Sequence, residues 1–335
     1  MLIIRERGYA RAGLLGNPSD GYNGKTISII LRNFWADVVL YEWDTVDIVL
    51  AEQDRARFRS VYDLARDVEL HGYYGGIRLI KATIKSFVDY CQGQGIELHD
   101  RNFSVRYESS IPQQVGLAGS SAIITATLHA LMAFYDVEIP LPVQPTFVLS
   151  VEGALGIAGG LQDRVIQCYE GMVYMDFSRE KATPLAGLTH YEYECMDPEL
   201  LPPVYVAYHA TLSEPTEIFH NDIRGRYNRG DPQIVQAMAG FAELAKEGRQ
   251  AIVDGDAVRL SELIDANFDL RSSINTLAPW QVRMVETARS CGASAKFAGS
   301  GGAIVGVYED EAMFEALTVR LASIGSRVIK PRILE

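Results

Sequence analysis

The segment Ile111 to Ala122 reads Ile-Pro-Gln-Gln-Val-Gly-Leu-Ala-Gly-Ser-Ser-Ala, and its residue types suit the binding of an anion. The stretch before it, Phe103 to Glu108, alternates apolar and polar residues as a strand does. Ile123, Ile124, Leu128, Leu131 and Met132 follow it in a helical pattern. Two glycines and two serines are therefore expected where a loop becomes a helix N-terminus. The first N–H groups of a helix have no partner within it and the helix dipole adds positive potential, so phosphate is favoured there. Gly116 and Gly119 would let the backbone approach a ligand closely, and Ser120 and Ser121 add hydroxyls that could bind oxygen or a cation. A Gly/Ser match of this kind, taken alone, is more simply a turn with a serine N-cap.

Two carboxylates further along, Glu152 and Asp163, have the types needed for a metal ligand and a base. On one straight helix they would share a face but stand about 16 Å apart, at about 1.5 Å per residue. Gly156, Gly159 and Gly160 lie between them and are expected to break the helix, so that the chain folds back and both carboxylates meet at one centre. The common nucleotide and acyl-transfer signatures do not account for this set. No lysine occurs between Lys85 and Lys181, which removes the P-loop pattern, and neither Gly-x-Gly-x-x-Gly nor Gly-x-Ser-x-Gly is met.

The elements that must position these residues alternate between strand and helix. Tyr9 to Leu15 and Thr26 to Tyr41 read as strands, the second as a bent hairpin, and Arg57 to Leu70 and Gly76 to Tyr90 as helices. Gly171 to Phe177 is a strand, and Pro184 to Asp197 a connecting region. After Pro202-Pro203 a strand, Val204 to Tyr208, precedes helical patterns from Thr216 to Cys291. A strand–glycine loop–strand (Ala295 to Tyr308), a helix (Asp310 to Ser323) and a last strand (Arg327 to Leu334) complete the chain. This is an α+β protein of two domains, 1–190 and 191–335.

With 335 residues, 48% of them hydrophobic, the chain can bury a large core. A net charge of −12 argues against a nucleic acid or an anionic membrane as partner. Cys91, Cys168, Cys195 and Cys291 are far apart with no CxxC pair, and read as reduced thiols of a cytoplasmic protein. The six histidines are scattered, without the spacing of a zinc site. Ser109 to Tyr135 carries no Asp, Glu, Lys or Arg, but its polar front marks the apolar part as a buried core helix and not a membrane span.

Pro112, Gly116, Leu117, Ser120, Ser121 and Ala122 fill the pattern Pro-x-x-x-Gly-Leu-x-x-Ser-Ser-Ala, which resembles the second signature of the GHMP small-molecule kinases. Lys296-Phe297-Ala298-Gly299-Ser300-Gly301-Gly302-Ala303 resembles the third, a glycine-rich loop of the second domain that packs against the phosphate loop. Arg11 to Asp20 resembles the first in altered form, with Asn17-Pro18 in place of Glu-His. The resemblance implies a two-domain fold with the active site in the cleft between the domains. It implies ATP on Pro112, Gly116, Leu117, Ala118, Gly119, Ser120, Ser121 and Ala122, with Gly299, Ser300, Gly301 and Gly302 opposite. It also implies Mg²⁺ on Ser121 and Glu152, Asp163 as catalytic base, and Arg11 beside the transferring group. Asp20 takes the place of an aspartate that binds sugar hydroxyls in the galactokinase-like members, and Asn17 stands next to it at the substrate.

Tyr9 to Asp20, Gly72 to Leu79, Gly160 to Arg164 and Met175 to Ser178 are similar to the glucuronokinase subgroup, which shares the Asn17-Pro18 departure. That similarity implies phosphorylation of the anomeric hydroxyl of glucuronate, on the way to UDP-glucuronate. A uronate calls for an arginine facing its carboxylate, and Arg164 and Arg78 are the two candidates. A kinase for galactose, a heptose or a hexosamine is the alternative on the same scaffold, and a non-catalytic nucleotide- or sugar-binding regulator a more distant one.

Overall fold

A computed structural model describes residues 2–49, 75–210 and 223–334. The helix expected over Arg57 to Leu70, the front of the Gly72 to Leu79 motif and the start of the region after Thr216 lie outside the described residues. Strands β1 (Ile3–Leu15) and β2 (Lys25–Trp43) form one long antiparallel pair with an irregularity at Tyr9/Ala10. The stretch expected to bend into a hairpin is thus a single continuous strand. Its two halves are taken by different partners: Ala36 to Trp43 pairs with β4 (Asn102–Ser109), and Lys25 to Ile29 with β5 (Met172–Asp176). β3 (Asp47–Ile48) adds in parallel to β4.

The region expected to be a plain connection holds strand structure. β6 (Thr183–Leu185) and β7 (Leu188–His190) form a small hairpin, and β8 (Glu192–Met196) pairs with β5 along its length. The boundary expected at 190/191 therefore falls before a strand that still belongs to the first sheet. Hydrogen bonding to β5 holds the chain in that sheet as far as Met196. The second sheet is antiparallel in the order β10 (Lys296–Phe297), β11 (Ala303–Val307), β9 (Val204–His209), β12 (Ser326–Ile329).

Helices α1 (Gly76–Gly93), α2 (Gly119–Tyr135) and α3 (Gln144–Ala154) share a core with the first sheet. The charge-free segment is α2, buried along most of its length, as expected of a core helix. Successive residues of β2 serve two cores: Ile29 and Leu31 face that of α2, while Ile30 packs with Val165 and Ile166 of α4 (Gln162–Tyr169). This alternation is the period-2 consequence of strand geometry, and it fixes α4 against the sheet. In the second half, α5 (Pro232–Val253) supplies Ala245, Ala251 and Ile252 to the core of the first sheet. α6 (Ala257–Ile274), α7 (Pro279–Arg289) and α8 (Glu311–Ala322) complete the chain. No helix among the described residues is long and apolar enough to cross a membrane.

The start of α2 rests directly on β1. A side-chain carbon at Gly8 would collide with the carbonyl oxygen of Ala122. Gly8→Ala should push α2 off the sheet and cost about 1–3 kcal/mol, as overpacking does. Denaturant unfolding measures this, and unchanged stability would mean that the helix does not bear on Gly8.

Candidate active site

The loop 112–118 enters α2 through Ala118, which has the left-handed conformation (φ 62°, ψ 49°) rare for a residue with a side chain. Gln167 of α4 holds this corner by donating its side-chain amide to the carbonyls of Ala118 and Tyr9, each at 2.8 Å. Among the described residues no side chain caps α2. Its first N–H groups therefore stay available to an anion.

The two glycine loops meet backbone to backbone. A side-chain carbon at Gly116 (φ 79°) would stand 2.7 Å from the Ser300 nitrogen, one at Gly299 would strike the Gly116 carbonyl, and one at Gly302 would lie 2.5 Å from Val115 Cα. Only residues without side chains permit this approach. The structure thus brings Gly116, Gly299, Ser300 and Gly302 together from the two halves of the chain, as their resemblance implied.

Arg11 stands at the junction. Its Nε donates to Asp163 Oδ1 at 2.6 Å, and its Nη1 to Gly116 O at 2.5 Å and Ala298 O at 3.4 Å. One guanidinium ties the proposed base to both loops. Asp163 keeps about a fifth of its side chain exposed, whereas Arg11 is buried. Glu152 lies in the last turn of α3, the chain turns through 155–161, and Asp163 lies in the first turn of α4, so the glycine-rich break does bring the segments back together.

Glu152 is fully buried and bound by Arg164, whose Nε donates to Oε2 at 2.6 Å and whose Nη2 shares the same oxygen. Glu152 Oε1 accepts from Ser120 Oγ at 2.7 Å. Ser121, expected beside Glu152, instead turns its hydroxyl to Ala118 O at 3.3 Å. Neighbouring residues on a helix point about 100° apart, and it is Ser120 that projects toward α3. Arg164, one candidate for a substrate carboxylate, is committed to Glu152 and to Gly160 O at 2.6 Å, with its side chain 5% exposed. Arg78, the other candidate, donates to Leu155 O at 3.1 Å, just beyond α3.

Asn17 is also placed differently from its expectation. The Asn17-Pro18 peptide bond is cis, and the buried Asn17 side chain accepts from Lys296 Nζ. Lys296 donates further to Gly13 O at 2.7 Å and Phe297 O at 2.8 Å. Burial, with Arg271 and Arg11 nearby, pulls this amine well below the ordinary lysine pKa. Asn267 of α6 accepts from Gly16 N at 2.8 Å and donates to Asn17 O at 3.3 Å. Asn17 is thus part of the seam between the halves. Lys296 was legible only as a motif member; a lysine opening a buried strand was the signal for a tethered cation.

Asp20 lies beside the proposed base. Its Oδ2 accepts from the backbone N–H of Gln162 at 3.2 Å, next to Asp163. Burial, reinforced by the Asp163 charge, raises its pKa to about 6. Gln162 was not foreseen, although it directly precedes Asp163. It is 2% exposed and its Oε1 has no hydrogen-bond partner among the described residues.

The descriptions "GHMP kinases N terminal domain" and "GHMP kinases C terminal" match residues 78–171 and 249–323. The chain belongs to the GHMP kinase family. Two relatives from Arabidopsis thaliana, glucuronokinase 1 and a probable glucuronokinase 2, are each 44% identical to it, covering 90% of this chain and 84% of theirs. Lactococcus lactis galactokinase, solved in complex with galactose, has the same fold at a TM-score of 0.76 and 15% identity, covering 99% of this chain and 93% of its own.

We propose that Asp20 binds the sugar hydroxyls, in which case its raised pKa would tie sugar binding to pH. The KM for sugar should rise as pH falls below about 6 and Asp20 gains a proton, while the KM for ATP changes little. In Asp20→Asn the sugar KM should be high throughout and lose that dependence, which steady-state kinetics from pH 5 to 8 would test.

Proposed function

We propose that this protein transfers the γ-phosphoryl group of ATP to the anomeric hydroxyl of D-glucuronate, giving glucuronate 1-phosphate and ADP. The observation that carries the reading is the Arg11–Asp163 pair, set where the two glycine loops touch. The names of the Arabidopsis relatives support the choice of sugar. The phosphates would lie on the open N-terminus of α2 and the Gly116 loop, with Gly299 to Gly302 opposite. Asp163, oriented by Arg11, accepts the proton of the C1 hydroxyl as its oxygen bonds to phosphorus and the bond to ADP breaks. Arg11 then faces the charge on the transferring group. Most of the acceleration would come from alignment and charge neutralisation, as in phosphoryl transfer generally.

Magnesium usually takes one or two protein oxygens and fills its remaining positions with phosphate and water. Glu152 Oε1 and Ser120 Oγ are an oxygen pair of that kind, so we assign the metal to Ser120 and Glu152 in place of Ser121. Bound there, the ion would neutralise phosphate charge. The reading extends to a cytoplasmic location, with which four free cysteines agree.

Asp163→Asn keeps the size of the side chain and removes its basicity. Turnover should fall by about 10²–10⁴-fold with ATP affinity nearly constant. Assays with glucuronate, galacturonate, glucose and galactose, with the product identified by ³¹P NMR, test the substrate. A preference for galactose, or phosphate away from C1, would refute glucuronate as substrate.

The metal assignment separates two adjacent serines. Ser120→Ala should raise the Mg²⁺ concentration for half-maximal activity more than Ser121→Ala does. The reverse order would return the metal to Ser121.

A further inference from the structure

If the substrate is a uronate, some cation must meet its C6 carboxylate, and most basic groups around the site are already engaged. Arg11 is bound to Asp163, Arg164 to Glu152, and Lys296 to Gly13 and Phe297. Arg271 supports the second glycine loop through Gly299 O and Ser300 O. Arg226 pairs with Asp231.

Arg224 differs from all of these. It lies in the helical residues 223–228, is exposed, pairs with no carboxylate among the described residues, and hydrogen-bonds to the side chain of Tyr22. Its guanidinium lies 4.8 Å from the ring centre of Tyr22, which is buried. A side-chain carbon at Gly21 would stand 3.0 Å from Arg224 Nη2. Gly21 follows Asp20, and Asp20 accepts from Gln162 N beside Asp163. Asp163, Gln162, Asp20, Gly21 and Arg224 are thus successive neighbours, which sets Arg224 close to the proposed base. In a pyranose uronate only the ring oxygen separates C1 from C5, the carbon that bears the carboxylate, so a group that reads the carboxylate must lie close to the reacting centre.

We infer that Arg224 is the residue that recognises the carboxylate of the acidic sugar, and so determines specificity for a uronate over a neutral hexose. The assignment rests on the uronate reading of the site. Stacking on Tyr22 and the hydrogen bond to it would hold the guanidinium plane in place, and the missing side chain at Gly21 leaves Nη2 uncovered on that side. A planar fork suits a carboxylate's two oxygens. An exposed charge is worth less than a buried one, and hydrogen bonds between charged groups contribute enough to change affinity by about 10–100-fold.

The test is the ratio of kcat/KM for glucuronate to that for glucose, in wild type, R224Q and R224K. Wild type should favour glucuronate. R224Q should lower the ratio by about 10–100-fold, mainly through the KM for glucuronate, while R224K, which keeps charge but not the fork, should fall between. The KM for ATP, measured in each variant, reports whether the rest of the site is intact. A wild-type preference left unchanged in R224Q overturns the assignment of Arg224 alone. A wild type that takes glucose as readily as glucuronate overturns the uronate reading, and the assignment with it.

Discussion

The site depends on two backbone loops pressed together where no side chain can fit. Gly116 and Gly299 touch because neither carries a side-chain carbon, and Arg11 reaches Gly116 O and Ala298 O across that contact. The guanidinium is planar and permanently charged, so it can bind a carboxylate through one nitrogen and carbonyls through another. Asp163 is positioned by the same group that positions the loops. Any displacement between the halves of the molecule would therefore reach Asp163 through Arg11.

The distribution of buried charge around this junction is uneven. Arg11 and Arg164 each face a carboxylate, whereas Lys296 and Arg271 are held mainly by carbonyl oxygens. Burial lowers the Arg271 pKa to about 10, which leaves it charged near neutrality. Arg271 thus holds positive charge behind the second glycine loop of a protein whose net charge is −12. Fixed charges in a dry wall act on a bound polyanion more strongly than the same charges in water, and they need no rearrangement when it arrives.

The features legible in the sequence were those set by local patterns. The apolar run after Ser121 specified α2, and the glycines between Glu152 and Asp163 specified the turn that separates α3 from α4. Signature spacing placed Arg11, Gly116, Asp163 and Gly299, and the structure brings them together. Partner choice among long side chains was not legible. Arg164 was a candidate for a ligand, but tertiary packing sets it against Glu152; Asn17 was a candidate sugar contact, but Lys296, 279 residues away, takes its oxygen. The choice between Ser120 and Ser121 depended on where α3 lies relative to the first turn of α2. The strand β8 was missed because Glu192 to Met196 is short and mixed in polarity, and only pairing with β5 makes it a strand.

The two loops that would enclose the nucleotide come from distant parts of the chain, one near residue 116 and the other near residue 300. Helix α5, from the second half, fills part of the first sheet's core. During synthesis the first loop emerges long before its counterpart exists. A nascent chain therefore has half a phosphate cradle and an Arg11 whose contact at Ala298 has yet to be made. Because one side of the contact comes from near residue 300, the closed arrangement of the two loops becomes available only once nearly the whole polypeptide has been made.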